Sequence, residues 1–251
     1  MPPLELVLLF FVVALLYASV GFGGGSSYLA LLALFGVSFL SLRATALLCN
    51  IVVVSGGVWL FHRRGYLHWR RVSPLVVVSV PLAFLGGLLP IRELWFFLLL
   101  GGTLLVAALL MWVRPVPGGT VGLRTFPPWV NLLIGGGIGF LSGVVGIGGG
   151  IFLAPVLTLT RWGSPKAIAA TASLFILLNS LAGLAGQLQH PELRLEAPFL
   201  LPLLGAVFLG GQVGSRLGAG PLSHQALKRA TALLIAFVAL RILWKYLPSA
   251  L

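Results

Sequence analysis

Two glycine runs hold the best-placed chemistry in this sequence. Gly21-Phe-Gly-Gly-Gly25 and Gly146-Ile-Gly-Gly-Gly150 each interrupt an otherwise apolar stretch. Consecutive glycines weaken a helix by roughly 1 kcal/mol each relative to alanine. They also allow positive φ and close approach of the backbone to a ligand. A helix that starts after such a break presents unsatisfied N–H groups and a partial positive charge, an arrangement that holds anions. Gly23, Gly24 and Gly25, with the hydroxyls of Ser26 and Ser27 behind them, are therefore candidate anion contacts, as are Gly148, Gly149 and Gly150. Tight helix packing alone would need one small residue in four, not a triple run in two places. A nucleotide-binding loop fits worse: no Lys-Ser or Lys-Thr follows the glycines, and the chain has no Asp.

Polar residues inside apolar stretches come next, because each costs energy in lipid and tends to face a cavity or a partner helix. Thr45 and Thr171 occupy matching places, and Cys49, Asn50, Ser173 and Asn179 lie one or two turns further along the same segments. Thr45, Asn50, Thr171, Ser173 and Asn179 join the candidate substrate contacts, with interhelical hydrogen bonding the equal alternative for the two asparagines. Cys49 reads as a small apolar filler, and Gln187 and Gln212 are weaker candidates. Arg216, in Gly214-Ser-Arg-Leu-Gly218, either meets the anion or, the preferred reading, snorkels to the membrane surface. His62, His68, His190 and His224 fall in predicted loops without metal-ligand spacing, so no metal or cofactor is expected. The stretch His62-Arg-Arg-Gly-Tyr-Leu-His-Trp-Arg-Arg71 reads as an interfacial anchor. No carboxylate lies in a predicted span, so a relay through buried Asp or Glu is not expected. A coupled proton would then travel with the substrate as its protonated form, and flux independent of the pH gradient at fixed anion concentration would remove that expectation.

The elements that must position these residues are membrane helices. Hydrophobic residues make up 59% of the 251 positions and charged residues 8%, and mean hydropathy is +1.10. A soluble domain carries about 25% charged residues. The apolar runs are continuous rather than alternating, which excludes a barrel. A net charge of +12 would suggest nucleic acid in a soluble protein. Here the cations sit in short loops, where they set topology against anionic lipid, so no nucleic-acid partner is expected. Met1 to Tyr17 lacks a basic lead and reads as a retained membrane segment.

Predicted segments run Leu4–Val20, Tyr28–Leu40, Ala44–Phe61, Pro74–Leu89, Leu94–Val113, Trp129–Val145, Ile151–Thr160, Ala167–Gln187, Ala197–Gly214 and Ala230–Tyr246. The glycine runs recur 125 residues apart, Arg43-Ala-Thr-Ala46 answers Ala169-Ala-Thr-Ala172 at 126, and Leu85-Gly-Gly87 answers Leu209-Gly-Gly211 at 124. This is an internal repeat: 1–113 and 129–251 as membrane repeats, joined by a Pro- and Gly-rich linker at 114–128. If each half opens with a hairpin around its glycines, eleven of the sixteen Lys and Arg fall on one side. The other side keeps Arg43, Arg92, Arg194, Arg241 and Lys245. A single crossing instead gives nine to seven, so the positive-inside bias favours hairpins, crossing fully or re-entrant. Each half then has an odd number of further crossings. The expected fold class is an all-α polytopic membrane protein of two inverted repeats, each a Gly-interrupted hairpin followed by three spanning helices. That layout is common in transporters, and the expected location is the cell inner membrane.

At these motifs the chain resembles the TauE/SafE sulfite exporter family. The resemblance lies in Gly21 to Gly25 with its apolar continuation, Gly146-Ile-Gly-Gly-Gly-Ile-Phe-Leu-Ala-Pro155, Ala170-Thr-Ala-Ser173, Gly210-Gly211 and the two-half organisation. It covers nearly the whole chain. It implies export of sulfite or organosulfonate-type anions, with the lipid bilayer as the surroundings. One departure is Ala30 in the first half where the second has Pro155, so the two hairpins need not be equivalent. The expected function is secondary transport of a small sulfur-containing anion through a central site at the two hairpin tips. The alternatives are a passive anion channel or importer, or a structural subunit without transport. An enzyme is not expected, since no nucleophile–base cluster or paired carboxylate lies in the spans.

Overall fold

In the computed structural model, residues 1–113, 126–219 and 224–247 are described, and among them the chain is helical throughout. Ten helices follow in order: α1 Leu4–Ser19, α2 Gly25–Leu34, α3 Phe39–Arg63, α4 Trp69–Leu88, α5 Glu93–Val113, α6 Pro128–Val145, α7 Gly150–Leu159, α8 Pro165–Gln187, α9 Ala197–Ala219 and α10 His224–Tyr246. Each matches one predicted segment. α3, α4, α8 and α9 are long and apolar enough to cross a bilayer. Large apolar side chains such as Val77, Leu133, Leu201, Phe208 and Leu240 point outward, as they would toward lipid. Exposed Trp59, Trp69, Trp95, Trp112, Trp129 and Trp244 sit near helix ends, where indole rings favour the headgroup boundary. The chain is a polytopic helical membrane protein.

Boundaries moved where local chemistry overrode hydropathy. Gly36, at φ 73°, ends the second helix before the predicted Leu40. The third helix then begins at Phe39, five residues early. Ser164 caps α8 by accepting from the Ala167 N–H, with Pro165 at the first helical position. Pro128, predicted as linker, starts α6. The rest of that linker up to residue 125, with Arg114 and Arg124, lies outside the described residues, as do the side chains of His224 and Lys228.

Helix pairing is reciprocal between α1–α5 and α6–α10. α1 packs on α9 and α6 on α4, α3 packs on α8, and α5 on α10. Rows of glycine set the closest pairs. On α6, Gly135, Gly139 and Gly143 lie against the backbone of Leu75, Ser79 and Ala83 on α4. On α9, Gly210, Gly214 and Gly218 lie against Phe11, Leu15 and Ser19 on α1. One glycine per helical turn lets two backbones touch, which gives van der Waals contact where lipid supplies no hydrophobic drive. In both pairs the contacting numbers rise together, so the paired helices run parallel.

α2 and α7 are different. Each has ten residues, about 15 Å of helix, half of the roughly 30 Å hydrocarbon core. Both are buried starts without a spanning length: Gly25 to Ala30 and Gly150, Ile151 and Leu153 to Pro155 are shielded. α2 rests on α3 and α7 on α8.

Candidate functional site

The two short helices begin at the glycine runs because Gly24 (φ 89°) and Gly149 (φ 81°) take the left-handed conformation that side chains resist. These residues hold the N-cap places, and the first intrahelical bonds run from Ser27 N to Gly24 O and from Phe152 N to Gly149 O. The N–H groups of Gly25, Ser26, Gly150 and Ile151 therefore have no acceptor within their helices.

One side chain reaches both starts. Asn50, midway along α3 and fully buried, donates from Nδ2 to the Ile147 carbonyl at 2.8 Å. Its amide also lies against Gly23 and Gly25, with no room there for a Cβ. Asn50 Oδ1 has no partner. The Ser180 hydroxyl, also fully buried and without a partner, faces Gly148, where a Cβ would stand 2.6 Å from its Oγ. Ser173 Oγ donates to the Gly21 carbonyl at 3.0 Å and to Ala169 O at 2.9 Å, tying α8 to the first glycine run. Both turns thus meet at the contact of α3 with α8, in the middle of the bundle.

The remaining candidates are placed as follows. Ser26 and Ser27 are buried and meet the Tyr17 hydroxyl at 3.3 and 2.8 Å. That contact joins α1 to α2, and Phe10 stacks on Tyr28 beside it at 4.6 Å. Thr171 donates to Ala167 O of its own helix at 2.8 Å, and Asn179 Nδ2 to Phe175 O at 2.9 Å. Thr45 is buried on α3, and Cys49 is a buried free thiol. Gln212 approaches Gly56. Arg216, His62 and His68 are exposed, and His190 is half-buried with its Nε2 at 3.4 Å from Gly87 O. No group of His, Cys or Glu fit to hold a metal occurs among the described residues.

Arg43 is a correction. Its place before an apolar run marks it as a loop cation in the sequence, but the early start of α3 carries it inside the helix, where it is 1% exposed. Its Nη2 donates to Val144 O at 2.7 Å and Gly143 O at 3.4 Å, at the C-terminal end of α6. Tyr17, Ser142 and Ser180 were also missed. Serine in an apolar segment carries a weak polarity signal, and only the helix rotation tells Ser180, which faces Gly148, from its neighbour Asn179. Ser142 Oγ lies buried without a partner, beneath Gly149.

Comparison with known proteins gives a consistent set of matches. A model of the family "Sulfite exporter TauE/SafE" matches residues 6–242. A protein of Sinorhizobium fredii named a probable membrane transporter is 36% identical over 243 residues, 95% of this chain and 97% of that one. Another of that name from Methanocaldococcus jannaschii is 25% identical over 191 residues, 73% of this chain and 71% of its own. No solved structure matches.

Proposed function

We propose, since this chain belongs to the TauE/SafE sulfite exporter family, that it is a secondary transporter of a small sulfur oxyanion or organosulfonate in the cell inner membrane, with its substrate site where the two glycine turns meet at Asn50. The observation that carries this reading is Asn50, a single side chain in contact with both glycine turns. Two helix N-termini aimed at one position offer N–H donors and partial positive charge, which suit the acceptor oxygens of an anion. The Ser180 hydroxyl, unpartnered in the buried site, supplies a further donor. A buried hydroxyl left without a partner costs about 1–3 kcal/mol, and a bound oxyanion would recover that.

Opposed hairpins would let such a site open to either side in turn. Ser41 Oγ donates to Arg194 O at 2.8 Å, so α3 and α9 begin at one face. Lys166 meets Tyr66 at 3.4 Å and Arg71 covers Trp162 at 4.6 Å, so α4 and α8 begin at the other. α1 runs parallel to α9 and α6 parallel to α4, and these directions support inverted repeats with one hairpin entering from each face. All four glutamates are exposed, which favours a proton carried on the substrate over a carboxylate relay.

Thermal stabilisation of the purified protein by sulfite, sulfoacetate, sulfate, nitrate and chloride tests the reading, because a ligand bound only to the folded state raises stability by mass action. Sulfur oxyanions are expected to raise Tm, and Ser180→Ala to weaken the response by about tenfold in concentration, the worth of one charge-assisted hydrogen bond. No stabilisation by any anion in the folded protein would sink the proposal. Saturable counterflow in vesicles then separates a carrier from a channel.

A further inference from the structure

Further buried groups without a partner border the first residue of the second glycine run, about two helical turns from Asn50 and Ser180 along α3 and α8. Arg43 Nε has no hydrogen-bond partner, and neither has Nε2 or Oε1 of Gln187, the last residue of α8. Gln187 is 3% exposed. Both side chains border the turn at Gly146, whose Cβ position would stand 3.5 Å from Arg43 Cβ and from Gln187 Nε2. The partners of the guanidinium are the Val144 and Gly143 carbonyls and the rings of Phe39 and Phe96, at 5.5 and 5.7 Å from its carbon. None of these is an anion.

A buried cation answered only by dipoles is costly. Capping the last carbonyls of α6 offsets some of that cost, since a cation suits a helix C-terminus. It accounts for Nη2 and leaves Nε and the whole Gln187 amide unexplained. A small oxyanion would satisfy the donors among them, taking N–H groups from the guanidinium edge and from the amide.

The repeat sharpens the case. Ala169 stands 126 residues after Arg43 and packs on Gly21 as Arg43 packs on Gly146. The same slot is thus charged in one half and a methyl in the other.

We propose that Arg43 and Gln187 form a second oxyanion site at the Gly146 turn, a station between the central site and the face where α3 begins. This rests on the anion-transport reading and adds a site to it. Arg43 lies on the second turn of α3, just inward of Ser41, so an anion passing between the hairpin contact and that face would meet it.

The test uses the full chain with sulfite as probe, in sulfite counterflow and in sulfite-dependent thermal stabilisation. Gln187→Met removes two unpartnered polar atoms at similar volume, so Tm should hold or rise. Sulfite flux should nevertheless fall about tenfold, as should that of Arg43→Lys, which keeps the charge and loses the guanidinium edge. Stabilisation by sulfite should persist in Gln187→Met, because the central site is intact. Wild-type flux in both variants would overturn the second site and leave the central one standing. Loss of stability together with flux in Gln187→Met would assign the cluster to packing and overturn it too. An unaltered protein that neither binds nor carries sulfite overturns both readings.

Discussion

Gly143→Leu should destabilise the protein by at least about 3 kcal/mol, the upper end for overpacking a core. A Cβ on Gly143 would press on the Ala83 backbone of α4, and a backbone atom cannot rotate away as a side chain can. Gly139 and Gly135 hold the same contact one and two turns earlier, so the leucine would have to separate α6 from α4 along their length. The damage should spread to the proposed second site, because Gly143 O and Val144 O accept from Arg43 at the end of the same helix. Gly137 is the control. It lies on the same helix between Gly135 and Gly139, exposed, with nothing within 4 Å of its Cβ position. Gly137→Leu should therefore change stability by no more than about 0.5 kcal/mol. Thermal unfolding of the two variants side by side decides the matter, and equal midpoints would refute the packing account.

Asn50→Leu should abolish transport at a modest cost in stability. Leucine is somewhat larger than asparagine, and it cannot donate to Ile147 O. Interhelical hydrogen bonds in membrane proteins contribute about 1 kcal/mol, so the variant should fold. Its branched end has the same number of heavy atoms as the amide that lies against Gly23 and Gly25, but it is apolar, and the two glycine turns would lose their shared polar contact. Sulfite counterflow should drop by more than about tenfold. Ile176, 126 residues further on, fills the corresponding place against Gly148 and Gly150. Ile176→Leu conserves volume and should cost less than about 1.5 kcal/mol with flux retained. Full flux in Asn50→Leu would mean that the amide only joins helices and does not shape the site.

Much of this architecture is written in local composition. Ten apolar stretches became ten helices because a membrane helix satisfies its own backbone within one segment, and no distant partner is needed to predict it. The glycine triples marked α2 and α7 for the same local reason: only glycine takes the left-handed φ of Gly24 and Gly149 at no steric cost. The glycine runs, 125 residues apart, stood out in the sequence before any helix was placed.

Tertiary packing alone decided which polar groups meet. Asn50 and Asn179 are both single amides in an apolar stretch, yet one bonds across to Ile147 and the other back to Phe175 of its own helix. Helix rotation makes that difference, and in a segment buried on most sides the hydrophobic pattern has no polar face to report it. Arg43 looked like a loop cation because a charge beside an apolar run usually marks a boundary. Its burial came from Gly36 ending α2 early and from α6 bringing two carbonyls within reach. Chain-local chemistry determined the helices and their breaks, and the packing of α3 against α8, with the reach of Arg43 to the end of α6, decided which candidate residues meet.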